Sequence, residues 1–416
     1  MAREIELKLR VQPADVPPLR AALTRLAGGV RARHGMLTSL YFDTPQLGLL
    51  QAGVALRVRR VGRRWVQTLK GGGVVHGGLH VREEQEGPVA RPLPDVRRLG
   101  SVPGVSWTDV APQLVQVFGT EFRRSVWNLS YQGGAIEAAL DRGIVHCGER
   151  REDILELELE LKAGPPAVLH ALALELAAIV PLAPDPVSKA ERGYRLYQGL
   201  PLAPVKAAAA VLEKSLTVEQ AFVAIVRACL DQLQRNQYGV VAQNDPEFIH
   251  QMRVALRRLR SALSLFSAAV PRESWQPWAA ELRWLAGALG AARDWDVLAE
   301  ELLPLLIAQM QPRQPLHYLP GRVKAERRKS RRKARAAVRS PRYGLLVLAM
   351  ERWLGAREWT AAASAEQRAL LDAAIQPLAK TLLDRRHEQL RRRGRHLNRL
   401  SDEKRHQVRV TAKKLR

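Results

Sequence analysis

Glu4-Ile5-Glu6-Leu7-Lys8-Leu9-Arg10-Val11 alternates charged and apolar side chains without interruption. Successive residues of a strand point to opposite faces, so this run reads as a strand with one charged and one apolar face. The same period returns at 54–60, 65–70, 79–86, 122–131, 135–141 and 154–162, with Gly71-Gly72-Gly73 and Gly133-Gly134 read as separators. In the last run Glu156, Glu158, Glu160 and Lys162 share one face, and Leu155, Leu157, Leu159 and Leu161 the other. Arg57 and Arg59 are in phase, as are Thr68 and Lys70, then Arg82, Glu84 and Glu86, then Glu137 and Asp141. One charged strand face is ordinarily a solvated face. Several in one chain, each backed by an apolar face that helices at 15–27 and 166–180 can cover, point to strands curving into a barrel with a polar interior. Carboxylates in such a lumen suit hard divalent cations, and lysine and arginine suit phosphate oxygens. Together they read as a site for a metal-bound oligophosphate. No GxxxxGK[ST] loop and no dinucleotide-binding glycine fingerprint is present.

The chain has 416 residues, enough for two or three domains with cores of their own. A composition of 46% hydrophobic and 26% charged residues excludes wholesale disorder, and two cysteines, Cys147 and Cys229, exclude a disulfide scaffold. No apolar run approaches the roughly 20 residues of a spanning helix. The N-terminus lacks the apolar core of a signal peptide, so a cytoplasmic protein with no membrane partner is expected. The net charge of +25 is uneven, +5 over residues 1–200 and +20 over residues 201–416. A half-chain this basic implies a polyanionic partner: nucleic acid, an acidic membrane surface or polyphosphate.

Composition changes near Leu200-Pro201 to Pro204, which divides the chain into a domain at 1–200, a linker at 201–210 and a second domain at 211–416. Beyond the linker the period is helical throughout, at 217–238, 246–270, 275–310, 320–338, 342–357, 364–399 and from 402, the pattern of a helical bundle. The run from His250 to Arg260 recurs from His406 to Arg416, with His, Arg, a basic pair, Leu and Arg at identical offsets. His250, Arg253, Arg257 and Arg260 fall on one helix face, and so do His406, Arg409 and Lys413. Two matched basic stripes argue against an accidental solvated face. The second copy stops at Arg416, which gives the expectation that the second bundle is truncated. Few aromatics interleave with the basic runs, so stacking on single-stranded bases is not favoured; a duplex-DNA binder is kept as the lesser alternative.

The ordered motifs of the first half resemble those of the CYTH, or triphosphate tunnel metalloenzyme, family. Glu4-Ile5-Glu6-Leu7-Lys8 matches its ExExK signature. Tyr41-Phe42-Asp43-Thr44, Leu56-Arg57-Val58-Arg59, Thr68-Leu69-Lys70, Arg82 with Glu84, Glu137 with Asp141, Glu156 to Glu160, and Ser188-Lys189 with Arg192-Gly193-Tyr194 follow in the family's order. The resemblance implies an eight-stranded antiparallel tunnel that hydrolyses triphosphates with magnesium or manganese; some members make cyclic AMP or hydrolyse thiamine triphosphate. It implies Glu4, Glu6, Glu156, Glu158 and Glu160 as metal ligands, and Glu4, Glu6, Lys8, Glu158 and Glu160 as the catalytic set. It implies Lys8, Arg57, Arg59, Lys70, Arg82, Arg124, Lys189 and Arg192 as phosphate binders. Arg124 is preferred over the adjacent Arg123 only by register. Lys189 and Arg192 stand three apart, on one face of a helical turn that can close a tunnel mouth. His34, His76, His80, His146 and His170 are scattered and are not needed as a base. Tyr41 and Trp65 read as packing residues, which leaves no evident adenine pocket and favours inorganic triphosphate over ATP.

The helical half is similar to the CHAD family through the His250 run, the stretch from Leu285 to Val297, and the His406 run. That resemblance implies two pseudosymmetric bundles around a basic surface that binds inorganic polyphosphate, here with His250, Arg253, Arg257, Arg260, Arg293, His406, Arg409 and Lys413. Asp294 and Asp296 are expected to pair with and position arginines. A flexible polyanion gains from counterion release on such a face. The expected fold is therefore a two-domain α+β protein: an eight-stranded antiparallel barrel with flanking helices, then an all-α bundle. The expected function is a metal-dependent tripolyphosphatase, with Mg2+ or Mn2+, joined to a polyphosphate-binding module, in the cytoplasm and at polyphosphate granules. Two alternatives stand: a polyphosphate-docking protein with a weak tunnel, and an adenylyl cyclase. The oligomeric state is open.

Overall fold

A computed structural model describes residues 2–210, 212–309 and 318–415. Arg416, the last residue of the repeated run, lies outside them. In the first half the strands are β1 (Ala2–Arg10), β2 (Arg33–Asp43), β3 (Val54–Val61), β4 (Arg64–His76), β5 (Leu79–Val89), β6 (Val115–Tyr131), β7 (Gly134–Cys147), β8 (Arg150–Ala163) and the short β9 (Ala183–Pro184). The helices are α1 (Val16–Leu26), α2 (Gly48–Gln51), α3 (Trp107–Val110), α4 (Ala167–Ala177) and α5 (Lys189–Tyr197). The sheet runs β5-β4-β3-β2-β6-β7-β8-β1, and β1 pairs back onto β5, so eight antiparallel strands close into a barrel. β9 adds two residues beside Leu9 and Arg10 of β1.

The charged faces point inward. The apolar faces of β1, β7 and β8 form the core on the outside of the barrel, where Leu7, Leu9, Leu140, Leu157 and Leu159 pack with Leu19 and Leu23 of α1 and Leu169, Leu172 and Leu176 of α4. Each leucine fully buried there contributes about 1.5–3 kcal/mol, which is what allows the lumen to stay polar.

Two local readings differ from this fold. Gly71-Gly72-Gly73 does not separate strands; it is a bulge inside β4, where the register against β5 shifts. Gly72 and Gly73 have φ of +53° and +142°, and a Cβ on Gly73 would press into the Val81 carbonyl. β2 has no counterpart in the alternating runs because its first four residues are exposed on both faces.

The second half contains α6 (Val218–Ala242), α7 (Pro246–Leu265), α8 (Arg272–Val297), α9 (Leu303–Gln309), α10 (Leu319–Arg339), α11 (Pro341–Ala356), α12 (Trp359–Ala362), α13 (Ala365–Asp372), α14 (Ile375–Gly394) and α15 (Asp402–Leu415). Thr217 and Gln220 form a reciprocal capping box that starts α6, and Asp245 caps α7 with Pro246 in its first turn. A π-helical turn at Leu298–Leu302 joins α8 to α9. The stretch read as one helix over 364–399 breaks between α13 and α14. There the chain bonds to the segment before α6, Val218 N to Ala373 O at 2.9 Å and Ile375 N to Leu216 O at 3.0 Å. Phe222, Trp353 and Trp359 meet edge-on at the centre of the bundle core. The halves join where α11 packs on α4: Leu348 enters the barrel's outer core, and Gly344 lets the helix approach the Leu182 carbonyl. Among the described residues no helix is long and apolar enough to cross a membrane.

Candidate active site

The lumen opens into a cavity of about 1080 Å³. In a ring of eight strands, members four apart face each other. β3 is thus opposite β8, and β4 opposite β7. Arg57 and Arg59 on β3 and Lys70 on β4 look across the cavity at Glu158 and Glu160 on β8 and at Glu137 on β7, while Glu156 and Asp141, on the same faces of those strands, are fully buried. The alternation of these strands fixes this placement, because a one-residue slip would turn every charge into the outer core.

Along β8 the side-chain exposure falls from 27% at Glu160 to 9% at Glu158 and 1% at Glu156, so the tunnel has an open and a closed end. α5 closes it. Lys189, the first residue of α5, places its Nζ 2.7 Å from Asp141, 2.5 Å from Glu156 and 2.8 Å from Glu158. Arg192, three residues on, lies 3.0 Å from Glu156 and 2.5 Å from Asp185. Lys8 stands between Glu6, at 3.1 Å, and Glu158, which it contacts directly. Arg124 makes a two-pronged bond to Asp141 and a second contact to Glu158, while Arg123 is exposed.

Asp141, Glu156 and Glu158 are all buried and can each offer an oxygen within 4.8 Å of the others. Glu156 Oε2 is buried and has the Arg192 guanidinium at 3.0 Å. Carboxylate oxygens are the donors a hard divalent cation takes, and an ion here would share these three with the Lys189 ammonium. Burial works to raise the Glu158 carboxyl, but Lys189, Lys8 and Arg124 hold it well below the ordinary carboxylate range. Glu6 behaves likewise: burial opposes its charge, Lys8 favours it, and its pKa is lowered to about 2. Burial also works against the charges on Lys8 and Lys189, yet the carboxylates around them raise both pKa values, so both stay protonated.

Glu4 and Glu160 are not part of that buried cluster. Glu4 takes Lys70 at 2.8 Å, and Lys70 also reaches Glu84 at 3.2 Å. Glu160 sits beside Lys162 at 2.5 Å, and burial raises its pKa despite that neighbour. Among the described residues, Arg59 and Arg82 of the lumen have no carboxylate partner. Arg59 donates to the Ser39 hydroxyl at 3.1 Å, and Arg82 lines the cavity without an ion pair. Burial, then Arg57 and Arg124, lower the Arg59 pKa to about 10. His80 is buried, and burial with Lys8 and Arg82 takes its pKa down to about 3, so it is neutral and no proton store at physiological pH. Tyr41 stacks on Phe118 at 4.4 Å and Trp65 packs into a separate apolar cluster, so neither ring is free to hold a base.

The sequence pattern sets Asp141 in phase with Glu137 but marks no ligand role for it, and it does not mark Asp185. The period signal for Asp141 was present. Asp185 follows a two-residue strand and had none.

In the helical half, α7 brings His250, Arg253, Arg257 and Arg260 along one side, with Arg293 of α8 near His250. Arg257 and Arg260 are exposed. Arg253 reaches Asp294 at 3.5 Å, and Arg293 reaches Glu301 at 3.2 Å. Asp296 is fully buried and takes the Nε of Arg327 at 2.8 Å and of Arg331 at 2.7 Å, so it pins the inner face of α10 and leaves Arg328, Arg332 and Lys333 exposed. His406, Arg409 and Lys413 are exposed on α15, which packs on α14. Among the described residues no hydrogen bond or ion pair links the two basic stripes.

Residues 2–194 match the CYTH domain and residues 224–416 the CHAD domain. An inorganic triphosphatase of Haemophilus influenzae is 32% identical over 202 residues, covering 47% of this chain and 55% of that protein, so the match spans about half the length of the relative. Among solved structures, the CHAD domain of the plant Ricinus communis is 33% identical with a TM-score of 0.43, covering 51% of this chain and 68% of that one. A Hippeastrum adenylyl cyclase candidate with a dominant triphosphatase activity is 22% identical with a TM-score of 0.37, covering 48% and 97%.

Proposed function

This chain joins a CYTH domain to a CHAD domain, and from that premise we propose that its tunnel hydrolyses inorganic triphosphate to pyrophosphate and phosphate. The observation that carries the reading is the polarity of the lumen. Arg59 and Arg82, which have no carboxylate partner among the described residues, line the same cavity as Glu158, the member of the buried cluster that reaches it, and Arg59 does so from the opposite wall. A chain of phosphates fits between them, with its oxygens on Arg57, Arg59, Lys70 and Arg82. Lys8, Arg124, Lys189 and Arg192 then neutralise charge on the terminal phosphoryl group and on the leaving pyrophosphate.

Asp141, Glu156 and Glu158, with Glu6 adjoining, would hold Mg2+ or Mn2+, and Glu4 and Glu160 would serve nearer the open end. Such an ion supplies Lewis-acid stabilisation and acidifies a bound water. Glu6 and Glu158, ionised throughout the physiological range, keep the site anionic. With Tyr41 committed to Phe118, the reading favours inorganic triphosphate over ATP or thiamine triphosphate. Phosphate release from triphosphate, ATP, thiamine triphosphate and long polyphosphate, each with magnesium and with manganese, tests it. Release from triphosphate alone or foremost is expected. Cyclic AMP from ATP without phosphate release from triphosphate would select the cyclase instead.

The CHAD half is read as a polyphosphate-binding module through the His250, Arg253, Arg257, Arg260 and Arg293 face, with His406, Arg409 and Lys413 as a second contact. Its net charge of +20 supports this.

A further inference from the structure

The helical half meets the tunnel at its closed end, on the very element that carries Lys189 and Arg192. α5 has nine residues, fewer than the roughly 12–15 at which a helix becomes even marginally stable alone. Its place is therefore set by what it packs against. Its C-terminal turn is tied to the barrel, where Arg150 donates to the Leu196 carbonyl at 2.8 Å and Arg195 pairs with Glu152. Its N-terminal turn sends Lys189 and Arg192 into the lumen and leaves Glu191 for another partner. That partner is Arg235 of α6, whose Nη1 donates to Glu191 at 3.0 Å. Arg235 is itself held, its Nε reaching both oxygens of Asp231 at 2.9 and 3.0 Å.

The same turn of α6 acts at a second point. Gln237 donates to the Pro184 carbonyl at 2.6 Å, and the Arg10 guanidinium lies over the Tyr238 ring, 4.0 Å from its centroid. Arg10 continues to Asp185 at 3.0 Å, and Asp185 holds Arg192 at 2.5 Å. Asp185 and Glu191 flank Lys189, and one turn of a helix from the other domain supports both. The two halves do not need these contacts to stay together, since Leu348 and Gly344 already make an apolar joint elsewhere. The contacts made by this turn of α6 reach residues 184–192, at Pro184 and Glu191 directly and at Asp185 through Arg10.

We propose that α6 is a positioning element for the tunnel site: Arg235, through Glu191, and Tyr238, through Arg10 and Asp185, fix where Lys189 and Arg192 meet the terminal phosphates. The proposal rests on the triphosphate reading of the tunnel. It makes the helical half a component of the tunnel's substrate affinity as well as a polyanion-binding unit.

The test uses the full chain and two readouts. Arg235→Ala is expected to raise the KM for inorganic triphosphate roughly fivefold and to change kcat less than twofold, because the cations are present but less well placed. Glu191→Gln should do the same, Arg235→Lys should recover most of the loss, and the double variant should be no worse than either single one. Hydrogen exchange over residues 188–194 should quicken about tenfold in Arg235→Ala while the barrel strands exchange as before. An unchanged KM, an additive double variant, or unchanged exchange at 188–194 would each overturn the proposal. A wild-type chain that releases no phosphate from triphosphate would sink the functional reading instead, and the exchange measurement would still decide whether α6 holds α5.

Discussion

Arg124 grips Asp141 with two parallel hydrogen bonds, Nε to Oδ1 at 2.8 Å and Nη2 to Oδ2 at 2.7 Å, and Asp141 is fully buried beneath it. Arg59, on β3, donates only to a serine hydroxyl. Two arginines of one lumen are thus in opposite electrostatic situations. Removing Arg124 strips a buried carboxylate of a partner, a change that costs about 3 kcal/mol or more. Removing Arg59 takes away a cation that burial, Arg57 and Arg124 already disfavour. Arg124→Ala should therefore be markedly less stable in denaturant. Arg59→Ala should be as stable as wild type or more so, while its KM for triphosphate rises roughly tenfold for loss of a charge-assisted contact. Equal destabilisation by the two variants would contradict this division.

Glu6 is ionised at every working pH, its pKa lowered to about 2. Glu6→Gln keeps the shape and deletes the charge. Triphosphate hydrolysis should fall by roughly two orders of magnitude or more, and Asp141→Asn should act similarly. Chelation of divalent ions should abolish turnover in the wild type, and added Mg2+ or Mn2+ should restore it. Circular dichroism separates a lost fold from a lost site. Wild-type turnover in a folded Glu6→Gln protein would remove Glu6 from the mechanism.

Much of this lumen is legible in the alternation of β1, β3 and β8, because a period of two states which side chains share a face before any contact is known. A single strand's period does not say which of Arg123 and Arg124 faces inward; Arg124 is the one that lies against Asp141 of the neighbouring strand. The glycine run at 71–73 carries the same local signal for a turn as for a bulge, and only pairing with β5 distinguishes them. β2 reads poorly because Arg33 to Met36 have no buried face of their own; pairing with β6 holds them. Asp185 and the Glu191–Arg235 contact depend on barrel closure and domain docking, both non-local, so no period or motif announces them.

Glu351 offers a pH test of the joint between the halves. It is buried on α11 against Gly77 of the β4–β5 turn, its Oε1 accepts from Gln234 at 2.9 Å, and burial pushes its pKa up to about 7. The folded protein therefore binds a proton that the unfolded chain has released between pH 4.5 and about 7. Stability tied to that proton is complete below pH 4.5 and is lost as pH rises through 7. The loss is on the order of 3 kcal/mol by pH 8. Glu351→Gln should flatten this part of the stability–pH curve and be the more stable protein above pH 7. Parallel curves for the two proteins from pH 5 to pH 8 would show that Glu351 titrates normally.

The basic face of α7 is tested by its salt and pH behaviour. The full chain should bind long-chain polyphosphate, and affinity should fall steeply with salt because each neutralised phosphate releases counterion. Replacing Arg253, Arg257 and Arg260 together by Ala should remove much of that binding, since all three lie beside His250 on one helix side. The buried face of α7, formed by Phe248, Met252, Leu256, Leu259 and Leu263, is untouched, so helicity should persist. Burial and the neighbouring Arg293, Arg257 and Arg253 lower the His250 pKa in spite of Glu247. Its charge therefore appears only below the ordinary value of about 6.5, and any gain in affinity from His250 should emerge below that pH and vanish in His250→Ala. The tunnel can also hold phosphates, so the triple variant is compared with Glu6→Gln. Long-chain binding should follow the α7 arginines, and triphosphate turnover should follow Glu6. The rival is attraction of any polyanion to a half-chain at +20. Polyphosphate and duplex DNA at matched phosphate concentration, in competition at physiological salt, separate the two. Polyphosphate should compete far better; equal competition by DNA would favour a nucleic-acid face, and full polyphosphate affinity in the triple variant would move the binding surface off α7.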